Sequence, residues 1–237
     1  MKRLLVIDGL NLLFRNYIVN PSLSTNELPM IQLILTAVEA DDIISVVVQH
    51  PVYDGWQKVI VSSDKDFFQL CDGETLVLRP IQKQIISEKT LIEEYGIHPK
   101  NFALARAIVG DKSDNLPGVG GIGLPTIKKR FPFLSEDNGY NIETIVSYCA
   151  NQESKVKAFS NILEKQSVIE ENYQLMQLYA PSLSVQGKQK INFALENFEP
   201  EFAKTNIKAM MIEDGFGVIN FVDLFAAMNK IVADSKL

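Results

Sequence analysis

Short apolar runs, each stopped by an acid, set the pattern of the first half of the chain. Arg3–Ile7 is almost wholly apolar and ends at Asp8-Gly9; Lys58–Ser62 is a second such run and ends at Ser63-Asp64-Lys65-Asp66. Continuous short runs of this kind predict strands buried on both faces, as in a parallel sheet. Asn11-Leu12-Leu13-Phe14-Arg15 can begin a helix, and residues 20–29 have loop composition. Ile31–Val38 starts strand-like and leads into Glu39–Gln49, a predicted helix with acids in its first turn. Thr75–Arg79 and Gln84–Ser87 predict a hairpin or sheet-edge pair. Thr90-Leu91-Ile92-Glu93 matches a capping box for a short helix ending near Gly96. His98-Pro99 opens another helix, Asn101 to Val109, with His98 as a surface or cap residue.

After Pro132 the spacing turns helical. A helix begins at Asn141–Val146, and Ala158, Ile162, Leu163, Ile169, Leu175 and Leu178 mark Lys155–Tyr179 as one helical stretch. Pro200–Met211 and Phe221–Val232 predict further packing helices. The fold class is α/β, a mostly parallel central sheet flanked by helices, with a helical C-terminal region. The division expected is 1–110 as the core and 111–237 as a helix–two-turns–helix element plus C-terminal helices, packed as one unit.

Composition changes this picture little. The 237 residues are 46% hydrophobic and 22% charged, which suits a globular chain with a full core. No apolar run reaches the roughly 18–20 residues of a membrane helix. The N-terminal run is too short for a signal peptide and is interrupted by Asp8. Cys71 and Cys149 form neither a zinc pattern nor a disulfide framework, so reduced thiols in a cytoplasm are expected. Net charge is −6, yet Arg79–Pro132 holds nine Lys and Arg against five Asp and Glu, +4 locally, leaving −10 elsewhere. Cations held by clustered acids would offset part of that negative balance.

The chemistry lies in where the acids fall. Asp8, Glu39, Asp41, Asp42, Asp64, Asp66, Asp111 and Asp114 sit at predicted strand ends or helix starts. In open α/β sheets, ligands bind beyond the carboxyl ends of strands. Each acid has a plainer explanation, as a helix cap or as a first-turn residue favoured by the macrodipole. That explanation does not cover three acids in four residues at Glu39–Asp42, whose mutual repulsion calls for a cation. Hard oxygen donors suit magnesium or manganese rather than zinc, and a cluster of this size can hold two cations about 4 Å apart for phosphodiester hydrolysis. No Ser-His-Asp or Cys-His set is present, so a side-chain nucleophile is disfavoured.

Gly110–Gly123 joins this acid cluster to a glycine-rich turn, Pro117-Gly118-Val119-Gly120-Gly121-Ile122-Gly123, followed by Leu124-Pro125-Thr126-Ile127-Lys128-Lys129-Arg130. The turn lacks the Lys-Ser/Thr ending of a Walker loop and follows a helix rather than a strand, which disfavours a dinucleotide fingerprint. Gly118, Gly120, Gly121, Gly123, Thr126, Lys128 and Lys129 are candidate phosphate-backbone contacts, with the helix start adding amides and dipole. The alternative is a tight helix–helix connection with a solvated basic face.

At Asp8-Gly9, Val38-Glu39-Ala40-Asp41-Asp42, Ser62-Ser63-Asp64-Lys65-Asp66-Phe67 and Gly110-Asp111-Lys112-Ser113-Asp114-Asn115…Gly118-Val119-Gly120-Gly121-Ile122-Gly123, the chain resembles the 5′-nuclease (flap endonuclease) family. That family includes the 5′-nuclease domains of bacterial DNA polymerase I and phage 5′→3′ exonucleases; the size and helical C-terminal region are more similar to the phage members, T-even phage ribonuclease H among them. The resemblance implies a PIN-like core and a duplex-gripping helix–loop–helix. It implies two Mg²⁺, replaceable by Mn²⁺, with Asp8, Glu39, Asp41 and Asp64 at an inner site and Asp42, Asp66, Asp111 and Asp114 at a second. It also implies K⁺ on backbone carbonyls, here Val119, Gly121 and Ile122. The activity implied is 5′→3′ exonuclease and flap endonuclease on branched or primer-bearing DNA, with RNA–DNA hybrids and replication proteins as further partners, no membrane, a monomer, in the cytoplasm of a bacterial host.

The chain departs from the family in one place. Members carry a strand ending in an acid and a basic helical arch before the Glu-Ala-Asp-Asp motif; here Met30 passes straight to Ile31. With the core motifs intact, a mobile arch missing from the 237-residue string is expected rather than a true deletion. A true deletion would remove one metal ligand and the main 5′-end clamp, leaving a branched-DNA-binding protein with impaired catalysis as the alternative. A phosphatase using Asp8 would want Asp-x-Asp where this chain has Asp8-Gly9-Leu10, and a PIN-type ribonuclease would not need the glycine turn.

Overall fold

The computed structural model describes residues 2–8, 39–152, 156–181, 183–196, 204–213, 220–226 and 229. Four strands form one sheet in the order β1 (Arg3–Ile7), β2 (Gln57–Val61), β3 (Thr75–Arg79), β4 (Gln84–Ile86). β1 and β2 are parallel, as are β2 and β3; β4 returns antiparallel on β3 with Val77 opposite Ile86. The sheet is thus mostly parallel, and its parallel strands deliver their C-terminal ends to one edge of the molecule.

Ile60, Val77 and Ile86 point into the core and are fully buried. The apolar runs do not translate into burial on both faces, however. Leu5, Ile7 and Ile85 fall on the opposite face and are 57%, 51% and 58% exposed. The expected Ile31–Val38 strand and the helix from Asn11 lie outside the described residues.

The helices pack mainly on the inner face. In chain order they are α1 (Ala40–Val48), α2 (Glu88–Tyr95), α3 (Phe102–Val109), α4 (Leu124–Arg130), α5 (Ile142–Ala150), α6 (Lys157–Glu164), α7 (Gln166–Met176), α8 (Val185–Glu196) and α9 (Lys204–Glu213). α3 is the centre. From Phe102 to Ile108 every residue is buried, as expected of a helix apolar nearly all round, and it packs against α7. Phe68 meets Phe102 with ring centroids 5.4 Å apart, binding the strand layer to α3. The buried apolar cluster runs from Ile44 to Leu178 across the 110/111 junction.

Several local expectations need correcting. The capping box is Ser87 with Thr90, so α2 begins at Glu88 rather than after Thr90. His98 does cap, accepting a hydrogen bond from the Lys100 amide, but it is buried rather than superficial. It opens a 3₁₀ turn, Pro99–Asn101, and α3 itself starts at Phe102. The Lys155–Tyr179 stretch is two helices interrupted at Lys165, whose backbone leaves helical geometry (φ −110°, ψ 21°). Among the described residues no helix is long and apolar enough to cross a membrane.

Candidate metal centre and nucleic-acid interface

Asp8 follows β1 directly; its amide donates to the Val61 carbonyl at 3.1 Å, fixing it at the end of the neighbouring β2. The Ser62 hydroxyl donates to Asp8 Oδ2 at 2.8 Å and accepts from the Asp64 amide at 3.0 Å. Asp64 Oδ1 accepts from the Asp66 amide at 2.9 Å, turning the chain into a 3₁₀ turn, Asp66–Leu70. Asp66 accepts from Arg106 Nε at 2.9 Å, and the other arm of that guanidinium bonds Asp111. Asp111 Oδ1 also accepts from the Ser113 amide at 2.7 Å. One hydrogen-bonded line therefore joins Asp8, Asp64, Asp66 and Asp111.

The other four acids are coupled to this line by like-charge repulsion. Glu39 is the N-cap residue of α1 in extended geometry, yet its side chain makes no cap bond, and Asp41 and Asp42 occupy the first turn. A helix N-terminus alone would favour ionised carboxylates. Instead burial pushes Asp41 up to about 7, with Asp64, Asp8, Asp66 and Glu39 adding repulsion in that order. Asp42 is raised by burial and by Glu39. Burial raises Asp66 to about 6 against the pull of Arg106, with Asp64 and Asp111 also raising it. Asp114 is raised by burial, then by Asp111, Asp64 and Glu39 against Arg106. Asp111 goes the other way: burial pushes it up, but hydrogen bonds from Ser113 and Arg106 hold it at about 2. All eight acids named from the sequence lie within one electrostatic neighbourhood, at the C-terminal ends of β1 and β2.

This neighbourhood fits divalent cations. The donors are all carboxylate oxygens, the mutual repulsion on the Asp41 side meets no opposite charge among the described residues, and on the other side an Arg bridges two acids as a cation would. Among the described residues, no three His, Cys, Asp or Glu side chains already form a ready-made cation site. The hydroxyls and Arg106 hold oxygens that a cation would draw together. Arg106 escaped the sequence reading. Its signal was a lone arginine in the apolar string Phe102–Val109, since a buried Arg needs acid partners.

Gly110 to Gly118 is a pinched loop that presents Asp111 and Asp114. Asp111 and Leu116 pair as an antiparallel bridge, and the Val119 amide donates to the Ile108 carbonyl at 2.8 Å. Gly110 has φ +76°, and a Cβ there would meet the Gly118 nitrogen at 2.3 Å; a Cβ on Gly118 would meet the Val109 carbonyl oxygen at 1.8 Å. Gly118 thus closes the loop base. Gly120 and Gly121 are exposed at the apex, where a Cβ on either would meet nothing within 4 Å, and Gly121 has φ +78°. Gly123 caps α4, whose first turn holds the half-buried Thr126. Val119 and Ile122 are buried, and the Ile122 amide donates to the Val119 carbonyl at 3.2 Å. Lys129 is exposed, whereas Lys128 Nζ donates to the carbonyls of Glu93 and Glu94 at 3.0 Å each, capping the C-terminus of α2.

The family model for the 5′-3′ exonuclease, N-terminal resolvase-like domain, matches residues 24–96. The 5′-3′ exonuclease of Buchnera aphidicola subsp. Schizaphis graminum is 36% identical over 155 residues, covering 58% of this chain and 53% of that protein. Over these stretches the chain is similar to 5′-3′ exonucleases. Among solved structures, a phage T5 5′-exonuclease variant matches with TM-score 0.61 at 19% identity, over 83% of this chain and 99% of that one. A phage T5 flap endonuclease, in a pseudo-enzyme–product complex with DNA and metal ions, matches with TM-score 0.54 at 22% identity, over 67% of this chain and 59% of that one. These likenesses show a shared fold. The chain spans about half the length of the Buchnera relative. Its 237 residues run without interruption through Met30-Ile31, and the expectation of a mobile arch there falls on residues 9–38, outside the described residues.

Proposed function

We propose that the chain is a divalent-metal-dependent 5′→3′ exonuclease and flap endonuclease that hydrolyses phosphodiesters near 5′ ends of branched or primer-bearing DNA. The observation that carries this reading is the hydrogen-bonded line joining Asp8, Asp64, Asp66 and Asp111, beside which Asp41 is pushed up to about 7 by burial and by Asp64, Asp8, Asp66 and Glu39. Such a site is stable at neutral pH when a cation is shared among the acids. The Buchnera relative is named as a 5′-3′ exonuclease, and the T5 flap endonuclease complex contains DNA and metal ions; both support the reading.

Asp8, Glu39, Asp41 and Asp64 are proposed for an inner Mg²⁺ and Asp42, Asp66, Asp111 and Asp114 for a second, with Mn²⁺ able to substitute. Bound divalent ions would acidify an attacking water and neutralise charge on the phosphoryl and leaving oxygens. The chain's own part is to fix the acids: Ser62 orients the Asp8 carboxylate and anchors the Asp64 backbone amide, and Arg106 orients the Asp66 and Asp111 carboxylates. On the nucleic-acid side, Gly120, Gly121, Gly123, Thr126 and Lys129 would follow a phosphate backbone, while Gly118 and Lys128 shape the element behind them. The carbonyls of Val119, Gly121 and Ile122 are proposed for K⁺. RNA–DNA hybrids are included as substrates, replication proteins as partners, and the site of action is a bacterial cytoplasm, with the chain as a monomer. The two regions 1–110 and 111–237 are proposed as core and DNA-binding region of one unit.

The uninterrupted Met30-Ile31 link favours one second reading: branched-DNA binding with weak catalysis, for want of the arch. A labelled 5′-flap duplex incubated with Mg²⁺, and in parallel with chelator, separates the two. Mg²⁺-dependent release of short 5′ fragments is expected. Branch-selective binding without release would establish the second reading, and cleavage unaffected by chelator would overturn the metal assignment.

A further inference from the structure

Two buried amide side chains connect the polypeptide beyond the glycine loop to the segments that carry the acids. Asn172, on α7 and 2% exposed, donates to the carbonyls of Ala107 and Pro117, both at 2.9 Å. Those carbonyls flank the loop that presents Asp111 and Asp114. Gln69, 1% exposed, lies in the 3₁₀ turn that begins at Asp66. Its Nε2 donates to the carbonyls of Asp66 at 2.8 Å and Met176 at 2.9 Å, and its Oε1 accepts from the Leu178 amide at 2.7 Å. The Leu178 carbonyl in turn accepts from Ser45 Oγ on α1 and from Nε2 of Gln49, the C-cap of that helix, whose first turn holds Asp41 and Asp42.

Residues 172–178 therefore grip, through buried hydrogen bonds to backbone carbonyls or from side chains, three separate acid-bearing segments. Each amide hydrogen of Asn172 and Gln69 has a partner, so neither residue can be replaced by an apolar one without orphaning carbonyls in the interior. Packing alone would not need one short stretch to reach all three segments. Asn172 holds main-chain carbonyls that flank the loop, while Gln69, Ser45 and Gln49 reach the 176–178 main chain from the elements on which the other carboxylates ride, so a shift of the tie moves carboxylates relative to one another.

We propose that Asn172 and Gln69 are positioning residues that set the mutual spacing of the carboxylates for divalent-cation binding. The proposal rests on the metal-dependent reading above. It is tested with the full chain and Mg²⁺ alone, without DNA, by calorimetric titration and by the gain in Tm that Mg²⁺ confers. Asn172→Leu and Gln69→Met are compared with Ile145→Ala, a fully packed α5 residue that touches none of the acid-bearing segments through hydrogen bonds. The two amide variants are expected to bind Mg²⁺ about tenfold more weakly, as supporting residues around metal ligands do. Ile145→Ala is expected to lose Tm yet keep its Mg²⁺ affinity. Equal Mg²⁺ affinity in all three variants and wild type would overturn the positioning role and leave the metal reading intact; no Mg²⁺ binding by wild type would overturn both. Should Asn172→Leu not fold, Asn172→Ser makes the same comparison.

Discussion

At the N-terminal ends of β2 and β3, Lys58 is 5% exposed and meets Glu74 at 3.0 Å. Beside it, in a cavity of about 450 Å³, buried His98 faces Asp137 at 3.5 Å and Glu88 at 3.8 Å, and Lys100 pairs with the same Asp137. The buried ammonium of Lys58 has a carboxylate partner there, and His98 has two carboxylates within 4 Å. At the C-terminal ends of β1 and β2 the acids meet other acids, and the guanidinium of Arg106 reaches Asp66 and Asp111 while Asp41 is left among like charges. The same sheet thus carries one end where opposite charges meet within the chain and one end where, on the proposed reading, a cation from outside would offset the crowding. Paired charges at the first end hold the fold; crowded charges at the second weaken it.

The sharpest way to break this comparison is Asp41→Asn. Losing one carboxylate from a shared cation site is expected to lower Mg²⁺-dependent cleavage by about a thousandfold. The same change removes repulsion, so Tm in chelator is expected to rise. A variant that loses both activity and chelator stability would show that Asp41 is an ordinary fold residue. At the opposite end the sign reverses. Glu74→Gln leaves Lys58 buried without its counter-ion and is expected to cost about 2 kcal/mol in urea unfolding, less than a fully buried pair because 39% of the Glu74 side chain is exposed. Its Mg²⁺ affinity should be unchanged.

The same contrast has a pH signature. Asp41 at about 7 and Asp66 at about 6 both lie above the ordinary carboxylate value near 4. Their contribution to stability is complete below about pH 4 and is lost as pH rises through about 6 to 7. Asp111, held at about 2, works oppositely: its contribution is present above about pH 4 and lost as pH falls toward 2. In chelator, Tm is expected to fall by a few degrees between about pH 5 and 8, and saturating Mg²⁺ to cancel that fall. A chelated protein with flat Tm over this range would mean the acids do not burden the fold.

How far the sequence could foresee this depended on the range of the interaction. Six of the eight acid positions were legible because each follows a short apolar run or opens a helix, and both signals are local; Asp111 and Asp114 lie instead in the loop between α3 and α4. β2, β3 and β4 were legible for the same reason. The pairing of Arg106 with Asp66 spans 40 residues, and the grip of Gln69 on Leu178 spans 109. No local pattern encodes such contacts. The break at Lys165 was hidden because apolar spacing continues across it; Leu175, counted in that spacing, is 69% exposed. α8 was missed altogether, its apolar positions being few and Val185 and Phe193 being exposed.

The smallest effects expected are at Lys128 and Lys129, adjacent on α4 and alike in sequence. Lys128 caps α2 through Glu93 and Glu94, and its stem packs where a side chain on Gly96 (φ +65°) would lie, 2.6 Å from Lys128 Cγ. Lys128→Ala is therefore expected to cost about 1 kcal/mol of stability and to leave the salt dependence of duplex binding as it was. Lys129 is exposed and makes no ion pair among the described residues. Lys129→Ala is expected to leave Tm unchanged and to reduce the slope of log K against log salt by about one, the loss of a single phosphate contact. Binding isotherms across a salt series, paired with thermal melts of each variant, tell the two apart. If both substitutions change the slope alike, Lys128 leaves its cap to meet the phosphate; if neither does, the duplex does not run along α4 and the glycine apex is left to hold it.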